Sequence, residues 1–178
     1  MSDENIFYDT DCLSCFISID DVSILKKLFK KIIIPDEVYT EFSRIPILKN
    51  RVDTLVDEDF LEITDIYTNT DEYDFYTKLC NGELTSRKIG NGEAAAITLA
   101  VKNNGILASN NTKDVKEAIK IYGIKQIKTG DILVKAYNCG IISKNEGNDI
   151  WKKMLKQNRY LTEKTFLRYL KKYPQSKF

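Results

Sequence analysis

Short apolar runs alternate along the chain with longer stretches in which apolar residues recur every three or four positions. The first pattern predicts strands and the second helices. Asn5-Ile6-Phe7-Tyr8 reads as a first strand that ends at Asp9. Asp11 to Ile19 has helical spacing, and Asp20-Asp21 opens a second helix with Val22, Leu25 and Phe29 on one face. Ile32-Ile33-Ile34 is a β-branched run suited to a short buried strand. Pro35 follows at a position suited to a first helical turn, with Val38, Phe42 and Ile45 as the apolar stripe up to Pro46. A short helix covers Ile47 to Leu55, and Phe60 to Ile66 alternates as an edge strand would.

Residues 70–82 predict a helix with Tyr73, Tyr76 and Leu79 on one face and Gly82 as its stop. Glu83 to Gly90 reads as a polar loop. Glu93 to Val101 is the strongest helical segment, because alanine is the best helix former and a small face can lie close to a sheet. Ile106 to Ser109 is the next strand, 112–122 a helix closed by Gly123, and Ile124 to Lys128 a last strand. Thr129 caps a helix through Ala136, and 143–157 and 162–172 form the final two. Strands alternating with helices predict an α/β sandwich around a largely parallel sheet.

Composition narrows the chemistry. The chain has 178 residues and no histidine. That excludes Ser-His-Asp and Cys-His catalysis, and every zinc site that needs imidazole. Hydrolysis would have to use carboxylates, hydroxyls, lysine or an oxygen-held metal. No apolar run approaches the roughly 20 residues of a membrane span, so no membrane partner is expected. Met1-Ser2-Asp3-Glu4-Asn5 has no basic or apolar leader region, so the expected location is cytoplasmic. Cys12 and Cys15 form a C-x-x-C that no second pair answers. Zinc there would need Cys80 and Cys139 to converge on it; the plainer reading is free thiols packed as small apolar groups.

The net charge of +1 is uneven. Residues 151–178 hold nine basic residues against Glu163 alone, a local charge of +8, with Trp151, Tyr160, Phe166, Tyr169 and Tyr173 interleaved. Lys152, Lys153, Lys156 and Arg159 are therefore candidates for contact with RNA, since cations meet phosphates and aromatic faces stack on unpaired bases. The other reading is a surface helix with its aromatics packed inward.

In open parallel sheets the active crevice lies past the C-terminal ends of the strands. The acids found there are Asp9 after the first strand, Glu41 in the helix after the second, Glu93 opening the alanine-rich helix, and Asp114 past the fourth. Carboxylates brought together repel, and some would protonate. Mg²⁺ or Mn²⁺ removes that conflict, activates water and stabilises charge on a phosphodiester. Each acid also has a plainer role: Asp9 as a helix cap, Glu41 facing solvent, Glu93 and Asp114 as first-turn acids that suit the helix dipole.

Four segments carry a family resemblance. Phe7-Tyr8-Asp9-Thr10-Asp11-Cys12-Leu13-Ser14 resembles the opening of PIN domains, typically apolar-apolar-Asp-Thr-Asn-Val-Leu. Ile34-Pro35-Asp36-Glu37-Val38-Tyr39-Thr40-Glu41-Phe42 is similar to their Val-Pro-x-x-Val-x-x-Glu-Leu segment. Gly92-Glu93-Ala94-Ala95-Ala96-Ile97-Thr98-Leu99-Ala100 resembles a Gly-Glu-x-x-Ala-Ile-x-Leu-Ala form of the third motif, and Ile106 to Asp114 the fourth. They stand in family order over residues 5–138.

The resemblance implies a PIN-like three-layer sandwich, taken over residues 1–142; the charge and helical spacing of residues 143–178 mark them as a basic helical extension packed on it. It implies a metal-dependent ribonuclease like the VapC-like toxins of type II toxin–antitoxin pairs. Asp9, Glu41, Glu93 and Asp114 would be the catalytic, Mg²⁺- or Mn²⁺-holding acids, and the partners RNA, an antitoxin protein and a second copy of the chain. The fourth motif departs from the pattern: Asn110 and Asn111 stand where many relatives have Asp, and the acid comes at Asp114. Asp11, in place of the usual Asn, could compensate or cap the first helix. Thr10 and Ser14 could orient a carboxylate or a bound water, or bond their own backbone. Two other readings follow from the asparagines: a PIN-fold nucleic-acid-binding protein with a weakened site, and an interaction protein in a defence or regulatory system.

Overall fold

The computed structural model describes residues 5–175, apart from the side chain of Asp114. Strands β1 (Ile6–Tyr8), β2 (Ile32–Pro35), β3 (Leu61–Thr64), β4 (Ile106–Ala108) and β5 (Lys125–Ile127) form one sheet in the order β3-β2-β1-β4-β5. Each neighbouring pair is parallel. The chain winds outward from β1 to the edge strand β3, then returns to β4 on the other side. β1 and β4 therefore flank the topological switch point, where such sheets open a crevice.

The helices are α1 (Thr10–Ile17), α2 (Ser23–Leu28), α3 (Asp36–Ser43), α4 (Pro46–Asp57), α5 (Asp71–Asn81), α6 (Asn91–Lys102), α7 (Thr112–Tyr122), α8 (Thr129–Asn138), α9 (Lys144–Lys156) and α10 (Phe166–Lys172). Successive strand residues point to opposite faces. Ile6, Tyr8, Ile32, Ile34, Ile106 and Ala108 join one core with α1–α4 and α8–α10. Phe7 and Leu107 join a second core with α5, α6 and α7. The result is the three-layer sandwich expected from the sequence. The buried Ala94, Ala95, Ala96 and Ala100 let α6 lie close against its neighbours. Gly82 ends α5 in the left-handed conformation, at φ 75°.

Three local expectations change. Pro35 ends β2 and takes the N-cap position of α3 in extended backbone, rather than its first turn. Thr129 is the first residue of α8, with Lys128 at the N-cap position. Residues 162–165 are not helical: the indole N–H of Trp151 donates to the Glu163 carbonyl at 3.0 Å, and α10 begins only where the Thr165 hydroxyl caps the Arg168 amide at 3.2 Å.

The C-terminal helices place Trp151, Met154, Phe166 and Tyr169 in the same core as α1 and α8. Two glycines make room for their rings. A Cβ on Gly130 would stand 2.4 Å from the Tyr169 ring, and one on Gly147 2.5 Å from the Phe166 ring. The Tyr169 hydroxyl also donates to the buried Asp131 carboxylate at 2.9 Å. Among the described residues no helix is long and apolar enough to cross a membrane.

Candidate active site

A cleft of about 120 Å³ opens at the C-terminal ends of β1 and β4. Asp9, Glu41 and Glu93 line it together with Thr10, Asp11, Asn111 and Gly90. Three predicted acids from three separate segments therefore share one cleft. The fourth, Asp114, is in α7, and its side chain lies outside the described residues.

Asp9 is 3% exposed. Its backbone N–H donates to the Ala108 carbonyl at 3.0 Å, which fixes the end of β1 to β4. One carboxylate oxygen accepts the Cys12 N–H at 2.7 Å, so Asp9 caps α1 while lining the cleft. Glu41 comes from α3 and accepts a hydrogen bond from the Thr10 hydroxyl. It lies hard against α6: a Cβ on Gly92 would stand 2.7 Å from Glu41 Oε1. Glu93, in the first turn of α6, has the Ser109 hydroxyl at 3.4 Å and the Asn111 side-chain amide at 3.3 Å. The Ser109 hydroxyl also bonds Asp9 and accepts the Asn111 N–H at 3.1 Å. Ser109 is thus a hub between two acids that sequence reasoning did not single out. Its signal was position alone, the residue after β4 next to the end of β1.

Burial pushes the Asp9 carboxyl up to about 7; Asp11 and Glu41 add to the rise, while hydrogen bonds from Ser109 and the Cys12 amide oppose it. Asp11 is also raised, first by lost hydration and then by Glu41, with Arg159 acting against both. The cleft is an acidic place short of cations, since no lysine or arginine is among its lining residues.

The two asparagines separate. Asn111 lines the cleft, whereas Asn110 is buried behind it. The Asn110 carbonyl accepts the Thr129 N–H at 3.0 Å. Its amide nitrogen lies 3.0 Å from the Thr129 hydroxyl, 3.4 Å from Cys15 Sγ and 3.4 Å from the Tyr160 carbonyl. Asn110 joins β4, α1, α8 and the C-terminal segment. Ser14 is not among the lining residues; it donates to the Asp11 carbonyl at 3.1 Å and accepts from Arg159 at 3.1 Å.

The basic candidates also separate. Lys152 pairs with Asp149 at 3.3 Å. Lys153 borders another depression, with Asp21, Lys27 and Glu146. Lys156 is exposed at the end of α9, and only Arg159 of the four turns back toward the cleft, at Ser14.

All four cysteines are free, with Cys12 and Cys15 buried. Burial pushes the Cys15 thiol up to about 11, which suits a packed thiol and not a metal ligand. Among the described residues no three acids or thiols stand close enough to enclose an ion unaided. An open, all-oxygen cleft with a buried carboxylate of raised pKa still fits Mg²⁺ or Mn²⁺. Mg²⁺ keeps several of its waters and is commonly held by one or two carboxylates plus substrate phosphate.

A protein-family model described as PIN domain (DUF3368) matches residues 5–175. The chain belongs to the PIN-domain family. The match runs through α9 and α10, beyond the four motifs. Among solved structures, this PIN domain is similar to a chain of VapBC2 from Rickettsia felis bound to a DNA fragment from its promoter. The identity is 20% over 69% of this chain and 97% of that one, with a TM-score of 0.51. It is also similar to a chain of VapBC-1 from nontypeable Haemophilus influenzae, at 17% identity over 70% of this chain and 97% of that one, with a TM-score of 0.50. At these identities the likeness is one of fold. No curated protein matches the sequence significantly.

Proposed function

We propose that this PIN domain is an endoribonuclease that uses Mg²⁺ or Mn²⁺ at Asp9, Glu41 and Glu93, with Asp114 as a fourth acid, and that it serves as the toxin of a type II toxin–antitoxin pair in the cytoplasm. One observation carries the reading: three acids from three segments line a cation-poor cleft at the switch point of a PIN fold. A bound divalent cation would supply an activated water and charge stabilisation on the phosphodiester. The chain's own residues set its seat. The Cys12 amide and Ser109 hydroxyl hold Asp9, the Thr10 hydroxyl turns Glu41, and Ser109 and Asn111 hold Glu93. The exposed lysines of the C-terminal extension add attraction for the RNA backbone. The VapBC names of the similar structures support an antitoxin partner.

The test is cleavage of RNA oligonucleotides by the purified chain. Internal cuts should appear with Mg²⁺ or Mn²⁺ and vanish with EDTA; cutting that survives chelation overturns the reading. A second reading, RNA binding without cleavage, draws on the neutral Asn111 at the cleft. Retention of RNA with no cut in either metal would favour it.

Gly92 offers a finer check. An added methyl would stand 2.7 Å from Glu41 Oε1 and 3.2 Å from Val38 Cγ2, so Gly92→Ala must push Glu41 out of place. A displacement of that order should lower turnover by as much as about a hundredfold while the circular dichroism spectrum is kept. Unchanged turnover would remove Glu41 from the working site.

A further inference from the structure

Four residues that line the cleft carry a carboxylate: Asp9, Asp11, Glu41 and Glu93. Three of them are held by the chain. Asp9 accepts from the Cys12 N–H and the Ser109 hydroxyl, Glu41 accepts from the Thr10 hydroxyl, and Glu93 has Ser109 and Asn111 beside it. Asp11 differs. Among the described residues its carboxylate accepts no hydrogen bond, and what bears on it is charge: repulsion from Glu41 and attraction from Arg159.

The backbone under Asp11 is fixed all the same. Asp11 stands in the first turn of α1, and its carbonyl accepts from the Ser14 hydroxyl at 3.1 Å and the Cys15 thiol at 3.3 Å. The helix dipole favours an acid in that turn. It does not account for an acid that lines a cleft with three others and meets the charge of Glu41 with no donor of its own. Such carboxylates repel unless a cation stands among them. Arg159 offsets part of this repulsion. Asn158, in the left-handed conformation at φ 56°, turns the chain after α9 and precedes it. The hydrogen bonds of the guanidinium go elsewhere: Nε donates to the Gln157 carbonyl at 2.9 Å and Nη1 to the Ser14 hydroxyl at 3.1 Å. Arg159 therefore attracts Asp11 without occupying its oxygens.

Across the motif pattern, two departures mirror each other. Position 11 carries a carboxylate where Asn is usual, and position 111 carries Asn where an acid is common. Both residues line the cleft. The charge missing past β4 thus reappears at the start of α1. We infer that Asp11 is a metal-binding acid of this cleft, standing in for the one missing at Asn111, and that Arg159 balances it until a divalent cation enters. The inference rests on the metal-dependent reading of the site and adds a residue to it.

Binding of Mn²⁺ to the full chain without RNA, read from loss of the free-ion electron paramagnetic resonance signal, tests this apart from activity. Asp11→Asn should weaken Mn²⁺ binding at least about tenfold, the lower end of what loss of a group that merely supports a metal ligand costs. The metal-free melting temperature should move by no more than about 2 °C, as for an ordinary surface substitution. Adding Asn111→Asp to that variant should recover most of the affinity, because it returns the charge to the cleft from the other position. Arg159→Gln should tighten binding by about threefold, the scale of one exposed charge. An Asp11→Asn variant that binds Mn²⁺ as wild type does overturns the inference. So does a double variant that binds no better than Asp11→Asn, or weaker binding in Arg159→Gln. If wild type itself binds no Mn²⁺, the metal-dependent reading falls and Asp11 falls with it. If wild type binds Mn²⁺ and leaves RNA uncut, the ribonuclease reading alone fails, and the affinities still decide for or against Asp11.

Discussion

Asp9→Asn should abolish metal-dependent RNA cleavage and, in the same protein without metal at pH 8, raise the melting temperature. The two effects have one origin. The Asp9 carboxyl is buried and its pKa stands at about 7, against 3.8 for the free side chain. Between those values the folded state keeps a proton that the unfolded chain has released. Stability therefore falls as the pH rises through this window, and above pH 7 the ionised group costs up to about 4 kcal/mol. Asparagine keeps the shape, and its carbonyl can still accept the Cys12 N–H, but it carries no charge. The variant should be the more stable metal-free protein at pH 8, with the advantage shrinking toward pH 4. A divalent cation reverses the order. Binding only to the folded state, Mg²⁺ or Mn²⁺ should raise the melting temperature of wild type and leave Asp9→Asn nearly unmoved. Loss of groups that merely support metal ligands costs about 10–100-fold, so loss of the ligand itself should lower cleavage by about a hundredfold or more. Full turnover in the variant, or a wild-type melting temperature indifferent to both metals, would sink the assignment of Asp9.

The acids were legible in the sequence because of where the chain puts them. Asp9 directly follows a strand, and Glu41 and Glu93 fall in helices whose starts were marked by Pro35 and by the alanine run. A doubly wound sheet brings such positions to one edge without any side-chain detail. The asparagines were less legible. Asn110 and Asn111 are neighbours past the same strand, yet one is buried on Thr129 and the other lines the cleft. Which of two neighbours turns inward depends on how α8 packs behind them, a tertiary matter with no local signature. The tail was half legible. The reading of a helix with its aromatics packed inward holds at Trp151, Phe166 and Tyr169, whereas Tyr160 is exposed. Residues 162–165 read as helical but form bends, with the Glu163 carbonyl held by Trp151, its carboxylate by Lys172, and the helix start set by the Thr165 cap. Arg159 was expected on the same footing as Lys152, Lys153 and Lys156, and only the left-handed turn at Asn158 sets it apart.

The difference between the asparagines gives a prediction of opposite signs. Many relatives have an acid here, so restoring one at either position looks equivalent from sequence. Asn110→Asp should instead cost about 3 kcal/mol or more. The new carboxylate would be buried, would lose the amide that donates toward Thr129, Cys15 and Tyr160, and would gain no cation. At roughly 2–4 °C per kcal/mol for a chain of this length, the melting temperature should drop by on the order of 10 °C. Added Mg²⁺ should recover little of it, because Asn110 is behind the cleft and not in it. Asn111→Asp should behave otherwise. It replaces a hydrogen bond to Glu93 with repulsion, so the metal-free protein should lose on the order of 1 kcal/mol. The added charge lies at the cleft, so Mg²⁺ or Mn²⁺ should return more than was lost, and half-maximal activity should need less metal than in wild type. Melting curves of both variants, with and without metal, separate the cases. A larger metal response in Asn110→Asp than in Asn111→Asp would mean that the buried residue, and not its neighbour, completes the acid set.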